Sequence, residues 1–378
     1  MNKIWSAVIY IGDSLNNNIE KQFRRMAMND SILKIKEICR LISENAPWDI
    51  DDLISLINID EDQAKIIFEE ADRVREQEMG NQVHLRGLIE FSNYCIRKCL
   101  YCGLRSEIKP LNRYRMSIGE IVDSALTAEA LGYRSVVLQS GEDPFYTADK
   151  LAELVYRIKT ASDLAVTLSC GEFSHRDYKQ IKASGADRYL LRFETADSKL
   201  YRFLHPDSEL DKRLECLQYL KDLEYQIGTG FMVGLPGETP EIMAENLLLL
   251  KEFDVDMAGI GPFIPNPQTP LSSEKGGTLL QALKAIALAR LILRNAHIPA
   301  TTAMGTLDPQ GRQKALKAGA NVVMPNVTPM QYREMYQLYP NKICLTDDPG
   351  HCRNCITGII HSLGRSVATD HGHTLKKK

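Results

Sequence analysis

The stretch VHLRGLIEFSNYCIRKCLYC, residues 83–102, sets the reading of the whole chain. Its first part, Val83–Phe91, reads as a β-strand, and a cysteine-rich loop follows directly. That loop places Cys95, Cys99 and Cys102 at C-x3-C-x2-C spacing. A thiolate is a soft ligand that prefers iron–sulfur clusters or zinc. A closed zinc site wants four ligands, and no fourth Cys or His lies nearby in sequence. An electron-transfer cubane also takes four cysteines. Three thiolates on a four-iron cubane leave one iron free to bind a small molecule.

From Val83 onward strand and helix alternate. Further strands are expected at Ser135–Gln139, Ala165–Ser169, Arg188–Arg192, Gly228–Val233, Met257–Pro262, Ala300–Met304 and Asn321–Met324. Helices are expected at Ile118–Leu131, Ala148–Thr160, Arg176–Ala183, Asp211–Leu223, Pro240–Phe253, Leu279–Asn295, Gln310–Lys317 and Pro329–Leu338. This alternation over 81–340 predicts an α/β fold, a (β/α)8 TIM-type barrel, whose usual length is about 250 residues. A doubly wound open sheet is the alternative. Residues 29–80 read as an N-terminal helical cap, with Ile32, Ile35, Ile38 and Leu41 at helical spacing and Asp60-Glu61-Asp62 opening a second helix. Residues 341–365 form a C-terminal Cys-rich segment. Residues 366–378, ending in three lysines, read as a solvated, disordered tail.

Composition narrows the function. The chain has 378 residues, 44% of them hydrophobic, and a net charge of −3, so neither nucleic acid nor an acidic membrane is expected as a partner. Six of the nine cysteines fall in two tight triplets, a metal-binding pattern rather than a disulfide scaffold. An oxygen-sensitive cluster would place the protein in a reducing cytoplasm, in an anaerobic setting. Ile4–Ile11 is apolar, but Asp13 and Asn16–Asn18 follow in place of a small-residue cleavage site, and Met26 and Met28 are alternative starts. Residues 1–28 therefore read as a non-core extension. No run approaches the 18 or so apolar residues of a membrane span.

In a barrel the active site forms at the C-terminal strand ends. Those ends carry the cysteine loop, Gln139-Ser140-Gly141-Glu142-Asp143, Ser169-Cys170-Gly171-Glu172, Arg192-Phe193-Glu194-Thr195 and Thr301–Thr306. Gly141 is read as a point where backbone approaches a ligand. Arg192 and Glu194 are two apart on a strand and share a face. Arg213 lies about a turn into the following helix. Met257, Met304 and Met324 fit a flexible apolar lining. Near the C-terminus Cys344, Cys352 and Cys355 form C-x7-C-x2-C. They suit a second iron–sulfur cluster, or zinc with His351 as fourth ligand.

With Tyr101 just before its third cysteine, the loop resembles that of the radical S-adenosylmethionine (SAM) superfamily. Within it the chain resembles the HydE family of [FeFe]-hydrogenase maturases, from about residue 50 to 365. The likeness rests on IEFSN, CLYCGLR, RYRM, VLQSGEDP, GADRYLLR, MVGLPG, GIGPFIP, IPATTAMGT and YQLYP. It implies a catalytic [4Fe-4S] cluster on Cys95, Cys99 and Cys102 with SAM on the open iron. It implies SAM surroundings built from Tyr101, Gln139, Ser140, Gly141, Thr167, Ser169, Arg192, Glu194, Arg213 and Met232. Met257, Thr301, Thr302, Met324, Tyr336 and Tyr339 become substrate-side residues. A second cluster, [2Fe-2S] or [4Fe-4S], falls to Cys344, Cys352 and Cys355. The implied role is one step in assembling the diiron subcluster of the hydrogenase active site. The implied partners are a small organometallic or amino-acid-derived substrate, an electron donor such as ferredoxin or flavodoxin, and other hydrogenase maturases. Three other functions compete: methylornithine synthase, a biotin-synthase relative, and a non-catalytic iron–sulfur scaffold.

Overall fold

The computed structural model describes residues 29–376. The expected extension at 1–28 lies outside the described residues. The described residues open with three helices: α1 at 29–43, α2 at Ile50–Asn58 and α3 at Glu61–Met79. Asp49 and Asp60 start α2 and α3 as capping boxes, each accepting from the backbone three residues on. Lys284 fixes this layer to the barrel, its Nζ donating to the carbonyls of Ile57 and, at 3.0 Å, Ile59.

The strands, in chain order, are β1 Gln82–Leu85, β2 Gly87–Ser92, β3 Ser135–Ser140, β4 Ala165–Ser169, β5 Arg188–Leu190, β6 Gln226–Thr229, β7 Met232–Val233, β8 Met257–Ala258, β9 Gly261–Pro262, β10 Val322–Val323 and β11 Ser366–Val367. The remaining helices are α4 Ile118–Ala130, α5 Ala148–Ala161, α6 His175–Ala183, α7 Ser198–Leu204, α8 Leu210–Asp222, α9 Pro240–Glu252, α10 Leu279–Leu293, α11 Thr302–Leu307, α12 Gly311–Lys317, α13 Met330–Arg333 and α14 Pro349–Ser362.

A six-stranded parallel sheet runs β2-β3-β4-β5-β6-β8. It closes on itself. Met257 bridges His297, Pro299 bridges Val322, β10 pairs with β1, and Asn326 bridges Leu88, all in parallel. The closed (β/α)8 arrangement follows from alternation in which short strands bury both faces and their helices lie outside. Within β2 to β4 the register puts Leu88, Val137 and Thr167 at one level and Glu90, Gln139 and Ser169 at the next.

Three expectations need correction. The seventh stave is at 297–300, not Ala300–Met304. His297 N donates to Asp256 O at 2.8 Å and Ala300 N to Val322 O at 2.8 Å, so the ladder ends at Ala300. Thr301 then turns extended as N-cap, and Thr302 begins α11. The helix expected at Pro329–Leu338 is only Met330–Arg333.

The tail is the third correction. Described as far as 376, it is ordered and packed rather than solvated. Its strand β11 pairs with β1, and the chain then crosses the N-terminal end of the barrel. There Arg188 Nη2 donates to the carbonyls of His371 at 2.7 Å and Gly372 at 2.9 Å, and Arg86 Nη2 to that of Gly372 at 3.2 Å. Asp370 meets His84 at 2.9 Å. Buried guanidinium groups need acceptors, and the tail's carbonyls supply them.

Candidate functional site

The barrel is not filled. A cavity of about 360 Å³ runs down its interior from the cysteine loop to Arg86 and His297. Cys95, Cys99 and Cys102 line it. So do Tyr101, Gln139, Ser140, Gly141, Thr167, Ser169, Arg192, Glu194, Arg213 and Met232, and so do Met257, Thr301, Thr302, Met324, Tyr336 and Tyr339. The structure thus gathers these candidates around one space.

The cysteine loop is pinned from several sides. Ile96 N donates to Glu142 O at 3.0 Å and Leu100 N to Leu204 O at 2.9 Å. Arg105 Nε reaches Cys99 O at 3.1 Å from within the loop. Gly141 lines the cavity and also packs against the cysteine loop. A Cβ there would lie 2.2 Å from Tyr94 O and 2.8 Å from Cys95 Cβ. The close approach is to the cysteine loop itself, so Gly141 lets the loop after β3 seat the first cysteine.

The three thiols fit a metal cluster. Burial pushes Cys102 up to about 12 and Cys99 well above the usual thiol range, and the neighbouring thiols add to both shifts. Burial raises Cys95 as well. Without a cation, thiols whose charged form is disfavoured in this way stay protonated. A cationic metal group turns them into thiolates.

Around the mouth runs a charge network that sequence reading did not assemble. Arg97 Nη2 donates to Glu142 Oε1 at 2.9 Å and to Glu172 Oε2 at 2.7 Å. Glu172 Oε1 in turn meets Arg213 Nε at 3.0 Å. Arg213 therefore ends an alternating chain of charges, and Tyr201 OH lies 3.3 Å from its Nε. The signal was present in the acidic residues after strands β3 and β4 and in Arg97 between the cysteines. His205, also missed, lies 2.9 Å from Tyr101 OH through Nε2. Burial, with Arg213 nearby, pushes its pKa down to about 3, so it is neutral.

Arg192 and Glu194 face the cavity together as an ion pair, Nη2 to Oε2 at 2.6 Å. Farther along the wall Gln139 Nε2 donates to Tyr336 OH at 3.2 Å. Thr167 Oγ1 and Thr301 Oγ1 are shielded from solvent and have no hydrogen-bond partner among the described residues. Such orphaned hydroxyls in a cavity wall fit a polar ligand. A second buried pair, Glu90 with Lys342, also lines the cavity. Its members are 252 positions apart, and a lone glutamate inside strand β2 was the only sequence signal.

The C-terminal triplet is only partly gathered. The donor atoms of Cys344, Cys352 and Asp347 lie within 4.8 Å of one another, while Cys355 is exposed and outside that group. Arg312 approaches the Cys344 sulfur at 3.9 Å and Arg333 the Cys352 sulfur at 4.0 Å. His351 is exposed and 3.9 Å from Asp347. No described helix is long and apolar enough to cross a membrane.

Comparison with known proteins agrees with this geometry. Residues 89–250 match the model of the Radical SAM superfamily. The chain is 51% identical over 306 residues to the [FeFe] hydrogenase maturase subunit HydE of Thermotoga maritima, covering 81% of this chain and 88% of the relative. It is 32% identical over 276 residues to 3-methylornithine synthase of Methanosarcina acetivorans, covering 72% of this chain and 78% of that protein. The crystal structure of methylornithine synthase superposes with a TM-score of 0.77 at 27% identity, covering 88% of this chain and 97% of the other. The cysteine loop, the closed parallel barrel and a HydE relative at half identity place this chain in the radical SAM superfamily, as a member of its HydE family.

Proposed function

We propose that this protein acts in maturation of [FeFe]-hydrogenase, cleaving SAM reductively at one end of the barrel cavity and using the radical on a small substrate held deeper inside. One observation carries this reading: a single cavity joins three half-buried thiols at the barrel mouth to a polar, ion-paired wall. A four-iron cluster on those thiols supplies, when bound, a low-potential electron to SAM through its open iron. The protein's own part is placement and exclusion of water. Cys95, Cys99 and Cys102 hold the cluster. The Arg192–Glu194 pair and Arg213 offer charges of both signs to the methionine and ribose parts of SAM. Gln139, Ser140, Thr167, Ser169 and Met232 complete its surroundings, and Met257, Thr301, Thr302, Met324, Tyr336 and Tyr339 bound the substrate end. Cys344, Cys352 and Cys355 hold a second cluster, with Asp347 as an additional donor. An external ferredoxin or flavodoxin and the other maturases complete the system, in the cytoplasm.

A second reading has one observation in its favour. The buried Glu90–Lys342 pair gives the cavity charged groups suited to an amino acid, and a methylornithine synthase is among the relatives. Anaerobic reconstitution with iron and sulfide, then reduction with SAM, tests the common step through 5′-deoxyadenosine release, with Cys99→Ala as the inactive control. Restoring hydrogenase activity to an extract that lacks its own HydE-type maturase separates the two. Failure there, together with formation of 3-methylornithine in an extract, would favour the second reading.

A further inference from the structure

Two buried arginines adjoin the C-terminal cysteines, and among the described residues neither is paired with a carboxylate. Arg333 is 0% exposed and Arg312 6%. Arg333 is well supplied with acceptors: the carbonyls of Thr328 at 2.6 Å, Asn326 at 3.0 Å, Cys344 at 3.4 Å and Asp347, besides the Cys352 sulfur. Arg312 is not. Its Nη1 reaches the Cys344 sulfur at 3.9 Å and its Nη2 donates to Thr302 Oγ1 at 3.3 Å, while Nε is shielded and has no partner among the described residues. A guanidinium carries five N–H donors, and a buried cation needs an anion or many acceptors. The sulfurs of Cys344 and Cys352 can supply that charge, because on a metal they are thiolates.

The other end of Arg312 touches the cavity wall, since Thr302 lines the cavity. Its side chain crosses α11 at Gly305, where a Cβ would lie 3.5 Å from Arg312 Nε and 2.7 Å from Ile343 Cδ1. Cys344 itself holds a left-handed backbone at φ 63°, a strain that persists only where the surroundings enforce it. We propose that Arg312 is a positioning residue shared by the second metal site and the cavity. Its guanidinium offsets the negative charge of the cluster on the C-terminal cysteines, and is thereby held with its other edge on the hydroxyl of Thr302. The inference rests on the second-cluster reading above. It gives that cluster a structural hold on the substrate end of the cavity without contact with SAM.

A cation that donates to a cluster's sulfur ligand favours the reduced form and raises the potential. Reconstituted holoprotein is therefore titrated reductively and followed by EPR, with and without SAM. SAM perturbs the cluster it binds, so the signal it leaves unchanged reports the C-terminal site. Arg312→Gln should lower the potential of that signal by at least a 10-fold change in the reduction equilibrium, about 59 mV for one electron. Arg312→Lys keeps the charge and should stay nearer the wild type. Thr302→Val removes the acceptor on the wall and should also shift the signal, while Thr302→Ser should not. A wild-type potential in folded Arg312→Gln would overturn the counter-charge, and one in Thr302→Val would overturn the link to the cavity. If folded Arg312→Gln takes up no second cluster, uptake by Arg312→Lys supports the charge role and failure of both overturns it. If Arg312→Gln does not fold by circular dichroism, the two Thr302 variants decide the case. The cluster reading has its own test. Iron content unchanged on replacing all three C-terminal cysteines with Ala would strike that reading, whatever the arginine does.

Discussion

Arg192 holds Glu194 with two parallel hydrogen bonds, Nε to Oε1 at 3.1 Å and Nη2 to Oε2 at 2.6 Å, and Glu194 meets it from a left-handed backbone at φ 68°. A glutamate in that region is uncommon, and such strain persists where the surroundings enforce it, often at functional sites. Here the enforcement is visible. Glu194 N donates to Gly230 O at 3.0 Å, and Glu194 O accepts from Met232 N at 3.1 Å. The strand end is thus stitched to its neighbour with both side chains turned to the cavity. The sequence placed this pair on one face of a strand, whereas both residues follow the end of β5 at Leu190. In the fold it is an ion pair that is also part of the cavity wall.

Gly141→Ala should damage the cysteine loop. The added methyl would meet Tyr94 O and Cys95 Cβ at 2.2 and 2.8 Å, and neither is the end of a flexible side chain. Overpacking of this kind costs about 1–3 kcal/mol. Iron incorporated on reconstitution should fall, and SAM cleavage with it. Gly119→Ala is the control, because its Cβ would find only Ser117 Oγ at 3.9 Å. Equal iron content in the two variants would refute the seating role of Gly141.

The C-terminal cysteines do not line the cavity. Replacing Cys344, Cys352 and Cys355 together with Ala should therefore lower iron content and leave most 5′-deoxyadenosine formation in place. Loss of cleavage in a folded triple variant that still carries the first cluster would show that the second site serves the reaction. Asp347→Asn, made alone, asks whether the carboxylate beside Cys344 and Cys352 is a ligand. If it is, metal bound at this site should fall while the protein stays folded.

Glu238 predicts a pH dependence of stability. Its Oε2 accepts from Gly234 N at 2.6 Å, while Oε1 is shielded and has no partner among the described residues. Burial raises its pKa to about 7. A carboxyl raised above its unfolded value favours the fold in its protonated form. Its contribution is full below about pH 4.5 and is lost as pH rises through about 7, a change of up to about 3 kcal/mol. Glu238→Gln should remove this loss. The stability difference between variant and wild type, from urea unfolding at pH 5.5 to 8, should grow with pH and level off above 7. A difference that stays flat would mean Glu238 is solvated.

Most of the barrel was legible because it is written locally. Ala165–Ser169 and Ala148–Ala161 carry their strand and helix patterns within a few residues, and Thr147 caps the helix in sequence as it does in space. The failures share a different cause. Thr301 and Thr302 look like strand residues, yet the hydrogen bond that ends the stave, from Ala300 N, is accepted by the distant Val322 O. The polar tail looks solvated because the groups that hold it, Arg86, Arg188 and His297, lie 76 to 286 positions away in a chain that local pattern cannot join. Glu90 and Lys342 were missed for the same reason. The cysteine spacing, by contrast, placed the candidate site at once, since a metal needs its donors close together and a short loop provides that in sequence.

Glu194→Gln tests the strand-end pair most directly. The amide keeps the shape of the side chain and removes its charge. If Glu194 accepts a hydrogen bond from the ribose or the ammonium of SAM, the variant loses a charge-assisted bond. Such bonds contribute roughly 1.5–3 kcal/mol, so SAM affinity should fall about 10- to 100-fold. The cluster has its own ligands, so iron content should hold. Arg192 would lose its counter-charge in either case, and a lower melting temperature alone therefore decides nothing. The two roles separate on affinity. If the pair only braces the strand ends, SAM should bind as tightly to a destabilised variant as to the wild type. A SAM titration followed by the reduced-state EPR signal reads this directly. Unchanged affinity in a folded, iron-loaded Glu194→Gln protein would remove Glu194 from the SAM site.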